Sequence, residues 1–257
     1  MTSASWLVPL VTRPNPRGTL ICFPFGGAGA TTFSRWSARL PLELDLHSVC
    51  LPGRETRASE PFVIEADEAA ERLFEDTSLF LPDRTVLFGH SLGAGLAYRL
   101  ACLWQKRRGA PPRGLIVSGR RPPNQTYVGV DAAEDDQRLL AHIRALGGLP
   151  EELLSDETFL AHYLPRIRAD YQLNASLREP ELTVLDCPIS LFNGSEDPLV
   201  DRLSVHEWDR FAGRGLRAFE FPGGHFFLQQ RPAELIPRVM DEVLLLLSVP
   251  HTSQDRP

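Results

Sequence analysis

The chain has 257 residues, of which 43% are hydrophobic and 23% are charged, and its formal net charge is -6. This length fits one large α/β domain or two small ones. The composition is that of an ordinary globular protein with a sizeable core. The acidic balance argues against nucleic acid as the main partner, because phosphate binding requires a basic face.

No targeting or membrane segment is expected from the sequence. Residues 1–18 lack the basic region and the long apolar stretch of a signal peptide. The longest apolar run, 243–247, is far too short to span a bilayer. The four cysteines lie in apolar segments without a CxxC pair, so we expect buried, reduced thiols in a cytoplasmic protein.

Short β-branched runs alternate with longer helical patterns along the chain, which is typical of a parallel sheet covered by helices. The predicted strands are 19–23, 45–51, 85–88, 114–118, 188–193 and 216–221. The predicted helices of this alternating pattern are 31–40, 65–80, 92–106, 202–211 and 232–248. We therefore expect a single α/β domain over residues 1–257, with a mostly parallel central sheet flanked by helices.

One long connection interrupts this alternation. About seventy residues separate the strand that ends at Ser118 from the next one, far more than a single crossover needs. Within it, 131–146 and 155–177 have helical patterns. In an open α/β sheet, such an insertion lies over the ligand crevice at the carboxyl ends of the strands. Residues 124–180 are thus predicted to form a helical lid, and a purely structural excursion is the alternative.

The clearest catalytic motif is Gly-His-Ser-Leu-Gly at 89–93, between an apolar strand and an amphipathic helix. This context is typical of a nucleophile elbow, a tight turn that exposes the serine hydroxyl. Ser91 is therefore the predicted nucleophile. The helix that begins at Leu92 directs backbone N–H groups at the reacting centre, and we expect Leu92 to supply one donor of the oxyanion hole.

Ser91 needs an adjacent base, and His225 is the best placed of the seven histidines. It follows the last predicted strand in a glycine-rich turn, where elbow-type hydrolases have their base. His90 lies inside the elbow and cannot turn back onto its neighbour's hydroxyl. The other five histidines fall in the insertion, on a strand, on a helix or in the tail.

The acid should follow an earlier strand and precede the base in the chain. Asp197 lies in the turn after strand 188–193 and would orient the imidazole and stabilise its charged form. Glu196 and Asp201 are rivals for this role, whereas Asp186 lies at the wrong end of the strand.

The second oxyanion donor is expected in the turn after the first long strand, residues 23–29, which is Phe-Pro-Phe-Gly-Gly-Ala-Gly. This glycine run lacks the lysine of a P-loop and the spacing of a dinucleotide fingerprint. The chain also shows no metal-ligand spacing. We therefore expect neither a cofactor nor a metal ion.

Six motifs occur in an order that resembles the type II thioesterases, free-standing editing partners of polyketide and nonribosomal peptide synthases within the α/β-hydrolase superfamily. They are CFPFGG at 22–27, LPGRE at 51–55, GHSLG at 89–93, SGRRP at 118–122, LPRIRADY at 164–171 and PGGHFF at 222–227. The resemblance extends from about residue 18 to residue 247. After Tyr171 the family often continues with an acidic residue and a tyrosine, whereas this chain has Asn-Ala-Ser-Leu at 174–177.

The resemblance implies hydrolysis of a thioester between an acyl group and the phosphopantetheine arm of an acyl or peptidyl carrier protein. Ser91 would take the acyl group as an ester, and water activated by His225 would release it. By position, the second oxyanion donor would be the N–H of Gly26. The insertion would be a lid over the acyl chamber, and the role would be editing in secondary-metabolite biosynthesis.

A small-molecule carboxylesterase on the same fold is the alternative function, since a fold does not determine its substrate. Four arginines either contact the acidic surface or the phosphate of the carrier or form internal salt bridges: Arg54, Arg57, Arg120 and Arg121.

Apolar residues at helical spacing in the insertion either line the acyl chamber or pack the lid onto the body. They are Phe159, Tyr163, Leu164 and Leu173.

Overall fold

A seven-stranded sheet forms the centre of the protein in a computed structural model that describes residues 5–125, 134–177 and 183–248. The strands are β1 (Leu7–Val11), β2 (Gly18–Phe23), β3 (Leu44–Val49), β4 (Thr85–His90), β5 (Gly114–Ser118), β6 (Ile189–Gly194) and β7 (Leu216–Phe221). Their order is β1-β3-β2-β4-β5-β6-β7, and every neighbouring pair is parallel except β1 with β3.

Helices flank this sheet and confirm the predicted fold class. They are α1 (Ala66–Asp76), α2 (Leu92–Arg108), α3 (Asp136–Leu146), α4 (Glu151–Leu154), α5 (Glu157–Ser176), α6 (Arg202–Glu207), α7 (Phe227–Gln230) and α8 (Pro232–Ser248). Residues of α1 and α2 share one apolar core with one face of the sheet, and residues of α8 share a second core with the other face. Because both faces are covered, β2, β4, β5 and β6 are buried along their whole length.

Two elements in the first forty residues differ from the prediction. The sequence did not predict β1, an antiparallel edge strand with an irregularity between Pro9 and Val11. Proline is tolerated on an edge strand, where one side of the strand needs no partner. In the sequence, however, Pro9 argues against a strand, and β1 was therefore not predicted. The predicted helix at 31–40 is a 3₁₀ helix, Ala30–Arg39, whose buried Ala30, Phe33 and Trp36 recur every third residue, the period of a 3₁₀ helix.

The insertion between β5 and β6 contains α3, α4 and α5 in its described part. Residues 126–133 and 178–182 of the predicted insertion 124–180 lie outside the described residues. Side chains of all three helices form a small apolar cluster of their own around Leu139, Ile143 and Ile167. Helix α5 also contacts α1 and α2, and it contains Pro165 in its interior.

All four cysteines, Cys22, Cys50, Cys102 and Cys187, are buried free thiols. No helix in the described segments is both long and apolar enough to cross a membrane.

Candidate active site

Ser91 lies in the turn between β4 and α2, where its backbone adopts φ 54° and ψ -116°. Residues other than glycine rarely occupy positive φ, so this turn is strained. The N–H of Ser91 donates to the carbonyl of Ser118 at 2.9 Å and holds the turn against β5. A Cβ at Gly89 would lie 2.5 Å from the helix backbone, and one at Gly93 would lie 2.5 Å from the carbonyl oxygen of Pro24. The close packing around Ser91 therefore requires both glycines.

A chain of hydrogen bonds joins the three predicted triad residues. His225 Nε2 lies 2.9 Å from Ser91 Oγ, and His225 Nδ1 lies 2.8 Å from Asp197 Oδ2. The other carboxylate oxygen accepts the N–H of Leu199 at 2.9 Å. Because an ionised carboxylate only accepts, Nδ1 carries the proton, and Nε2 is left to accept from the serine hydroxyl. His225 and Asp197 are both buried, so solvent does not compete for these contacts.

The three other candidate acids have different partners or lie at the surface. Asp201 caps α6, accepting the N–H of Ser204 at 2.7 Å, and its side chain is half exposed beside Arg121. Asp186 pairs with Arg214 on the surface at 2.8 Å, and Glu196 is exposed. Within the described residues, Asp197 is the carboxylate that contacts His225.

His90, the histidine of the elbow, contacts Ser118 of β5 rather than Ser91. Its Nδ1 lies 2.8 Å from Ser118 Oγ, and its ring centroid lies 5.0 Å from that of His225. Burial, followed by the nearby His225, lowers the pKa of His90 well below its ordinary value. His90 is therefore a neutral side chain packed beside the imidazole of His225.

The two predicted oxyanion donors come from separate segments. Gly26 lies in the loop after β2 and lines the same cavity as Ser91, and Leu92 is the first residue of α2. In the part of the chain that the structure describes, neither N–H donates to a protein acceptor. Both are thus available to a substrate oxygen.

A buried ion pair holds the loop that contains Gly26. Arg54 binds both carboxylate oxygens of Asp170, at 2.8 and 2.7 Å, and both side chains are almost fully buried. Arg54 Nη1 also donates to the carbonyl of Ala28 at 2.8 Å, and Asp170 Oδ2 accepts the N–H of Gly27 at 2.6 Å. Burial lowers the pKa of Arg54, but the carboxylate of Asp170 raises it, and the net direction is upward.

Glu55 holds the far end of the same loop. Its carboxylate accepts the N–H groups of Ala30 and Thr31, each at 3.0 Å, at the start of the 3₁₀ helix. Burial raises the pKa of Glu55, and hydrogen bonds from Thr31 lower it, with a net lowering. The LPGRE motif therefore orders the loop through two consecutive charged residues.

Arg57, Arg120 and Arg121 also make internal contacts. Arg57 is buried, pairs with Glu60 and lies over the ring of Trp6. Arg120 Nη1 donates to the carbonyl of Ser91 at 3.1 Å and to Asn174 Oδ1 at 2.7 Å. Arg121 is partly exposed and donates to the carbonyl of Leu199 at 2.6 Å.

A cavity of about 300 Å³ contains Ser91 and His225. Part of its wall is apolar and comes mainly from the insertion: Ile143, Leu146, Leu149, Ile167, Tyr171 and Phe226. Another part is polar and includes Thr31, Thr32, Glu55 and Arg166. Burial, and then the neighbouring Arg54, lower the pKa of Arg166. The cavity thus offers one polar and one apolar region to a bound molecule.

Only part of the predicted chamber set lines this cavity. Tyr163 does, and Phe159 stacks on it with ring centroids 5.1 Å apart. Leu164 packs against the apolar cluster of the insertion. Leu173 is fully buried in the core between α1, α2 and the sheet, so of the two alternatives it follows the second and packs the insertion onto the body. Ile143, Leu146 and Leu149, which sequence reasoning missed, form the apolar wall in its place.

Within residues 5–125, 134–177 and 183–248, no group of three or more His, Cys, Asp or Glu is arranged to hold a metal ion.

Comparisons with known proteins agree with this fold. The thioesterase domain model matches residues 18–242. Thioesterase PikA5 of Streptomyces venezuelae is 33% identical over 96% of this chain and 89% of its own length. The gramicidin S biosynthesis protein GrsT of Aneurinibacillus migulanus is 30% identical over 95% of each chain. The structure of the type II thioesterase BorB from the borrelidin biosynthetic cluster has a TM-score of 0.83 at 30% identity, covering 94% of this chain and 100% of that one.

The family match spans most of the chain, and the matching structure has the same overall fold. The chain belongs to the thioesterase domain family, and it is a hydrolase of the type II thioesterase group within the α/β-hydrolase superfamily.

Proposed function

We propose that this thioesterase releases acyl groups from the phosphopantetheine arm of acyl or peptidyl carrier proteins, with Ser91, His225 and Asp197 as its catalytic triad. The continuous hydrogen-bonded chain from Asp197 through His225 to Ser91, beside the cavity, carries this proposal. Editing of stalled or misprimed synthase modules in the cytoplasm is the proposed role, in line with the biosynthetic relatives.

In the proposed acylation step, Ser91 Oγ attacks the thioester carbonyl while His225 Nε2 takes its proton. The N–H groups of Gly26 and Leu92 bind the resulting oxyanion, whose charge is absent from the ground state. Collapse of the tetrahedral intermediate breaks the C–S bond, and the imidazolium returns the proton to the leaving sulfur. Asp197 stabilises the imidazolium during both transfers.

Deacylation repeats the sequence with water. His225 Nε2 takes a proton from water as its oxygen attacks the acyl ester on Ser91. The second tetrahedral intermediate uses the same two N–H donors. Its collapse returns the proton to Ser91 Oγ and frees the carboxylic acid.

We further propose that the whole chain is one domain and that residues 124–180 act as a lid over the acyl chamber. The apolar wall formed by α3 and α5 residues suits an acyl chain. The polar wall near Thr31 and Arg166 suits the amides and the phosphate of the arm.

A comparison of two substrate classes tests the proposed function. The same acyl group is presented as a carrier-protein thioester and as a simple oxygen ester, and kcat/KM is measured for each. We expect a clear preference for the carrier thioester. Equal or greater efficiency on the oxygen ester would support the carboxylesterase alternative.

Ile143→Ala is expected to change the preference among acyl lengths. Ile143 lines the cavity, and its truncation lengthens the apolar chamber. One methylene in an apolar pocket is worth about 1–3 kcal/mol, so the ratio of kcat/KM for long and short acyl groups should shift about tenfold. The measurement is a panel of acyl groups of rising length on one carrier protein.

Leu139→Ala is the matched control for this test. Leu139 lies one turn earlier on α3 and is buried in the same cluster, but it does not line the cavity. Truncation of a buried leucine or isoleucine costs about 2–5 kcal/mol, so both variants should melt earlier. If both variants keep the wild-type length profile, Ile143 only supports the packing of the insertion.

A further inference from the structure

Two buried polar residues of α5 lie on one face of the helix, one turn apart. Asp170 is 1% exposed and Asn174 is 4% exposed. Residues four apart on a helix are neighbours on its surface, so both side chains reach the same part of the protein body. Each one connects α5 to a segment that carries a proposed oxyanion donor.

Asp170 acts on the loop after β2. Its Oδ2 accepts the N–H of Gly27 at 2.6 Å, and this N–H belongs to the peptide group that directly follows Gly26. Arg54 fixes the carboxylate by binding both of its oxygens and ties it to the carbonyl of Ala28 as well. Because peptide groups are planar, the orientation of this peptide limits the direction of the Gly26 backbone.

Asn174 acts on the elbow through Arg120. Its Oδ1 accepts from Arg120 Nη1 at 2.7 Å, and the same nitrogen donates to the carbonyl of Ser91 at 3.1 Å. That carbonyl and the N–H of Leu92 belong to one planar peptide group, so fixing the carbonyl fixes the N–H. A hydrogen bond to a peptide oxygen also polarises the peptide and strengthens its N–H as a donor.

We propose that Asp170 and Asn174 are positioning residues that set both donors of the oxyanion hole, with Arg54 and Arg120 as the links. The hole is then complete only while α5 is seated on the body. This inference rests on the proposed function, in which the N–H groups of Gly26 and Leu92 bind the oxyanion. It assigns α5 a part in catalysis in addition to its part in lining the cavity.

Asn174→Ala tests the link to the elbow. Removal of an oxyanion donor costs about 10²–10³ in kcat, and a donor that is present but misdirected should cost less, about tenfold to a hundredfold. KM should stay close to the wild-type value, because the oxyanion forms only in the transition state. Asn174→Asp keeps an acceptor oxygen for Arg120 and should restore most of kcat.

Two inhibitors separate positioning from simple structural support. An acyl trifluoromethyl ketone adds to the serine and forms a tetrahedral oxyanion, whereas an alkyl thioether of pantetheine occupies the site without one. In Asn174→Ala we expect the inhibition constant of the ketone to rise about tenfold or more and that of the thioether to stay unchanged. Arg120→Lys, which approaches the same contact from the other side, should show the same split.

Ser176→Ala is the matched control on the same helix. Ser176 accepts the N–H of Ala66 at 2.8 Å and so attaches α5 to α1, away from both oxyanion segments. It should lower the melting temperature without altering kcat or either inhibition constant. The inference is overturned if Asn174→Ala keeps its kcat, or if it weakens the ketone and the thioether equally. A wild-type enzyme that hydrolyses no acyl thioester would instead overturn the proposed function.

Discussion

Ser91→Ala is expected to reduce turnover about a millionfold while the protein stays folded. The substitution removes the attacking oxygen, and with it the 2.9 Å contact to His225 Nε2. It keeps the Cβ, so the backbone strain at φ 54° is the same in both proteins and the elbow has no new reason to collapse. Single-turnover hydrolysis of a carrier-bound thioester measures the loss, and a melting curve monitors the fold.

Ser195→Ala is a suitable control, because Ser195 is an exposed residue of the turn after β6. It should retain wild-type turnover. A folded Ser91→Ala variant with near-normal hydrolysis would overturn the triad proposal as a whole.

Asp197→Asn should lower kcat by about 10⁴, the size of effect that follows from holding the base in the wrong tautomer. The N–H of Leu199 donates to Oδ1 and would keep the amide oxygen at that position, so the amide NH₂ would face His225 Nδ1. His225 would then accept at Nδ1 and carry its proton at Nε2. In that form it cannot take the proton of Ser91. The single-turnover rates of the wild-type and Asp197→Asn enzymes on the same thioester give the size of this loss.

Asp201→Asn and Glu196→Gln are the controls for the acid. Asp201 caps α6, and asparagine caps a helix about as well as aspartate, so the change should be mild. Glu196 is exposed. If Asp201→Asn proves more damaging than Asp197→Asn, the acid has been assigned to the wrong residue.

The sequence predicted the sheet and the residues around Ser91 well because both depend on local patterns. An apolar strand, a tight glycine-flanked turn and an amphipathic helix are adjacent in the chain, and the order of nucleophile, acid and base follows from the strands that precede them. The structure brings Ser91, His225 and Asp197 into contact as this order requires, and their catalytic roles stay a prediction.

The environment of the arginines could not be predicted in the same way. Arg54 meets Asp170 across 116 positions of sequence, and Arg120 meets Asn174 across 54. Nothing in the local sequence distinguishes such a pair from two unrelated polar residues on the surface. Both partners lie within or just after the LPRIRADY motif, which is the signal that could have suggested a contact.

Helical periodicity alone also could not predict which residues of the insertion line the cavity. Helix α5 is buried on more than one side: Tyr163 and Ile167 face the cavity, while Leu173 belongs to the core beside α1 and α2. A helical repeat tells which residues share a face. It does not tell which neighbour covers that face.

Pro165 divides α5 into two segments with different attachments. Proline has no N–H, so the carbonyl of Ala161 loses its partner four residues on, and the helix lacks one internal hydrogen bond at this point. The segment before Pro165, with Phe159 and Tyr163, packs within the insertion, and Tyr163 also lies against Gly27 of the oxyanion loop. The segment after Pro165 contacts the same loop and the elbow. The oxyanion loop is therefore held from both sides of the missing hydrogen bond, by the ring of Tyr163 before Pro165 and by the carboxylate of Asp170 after it.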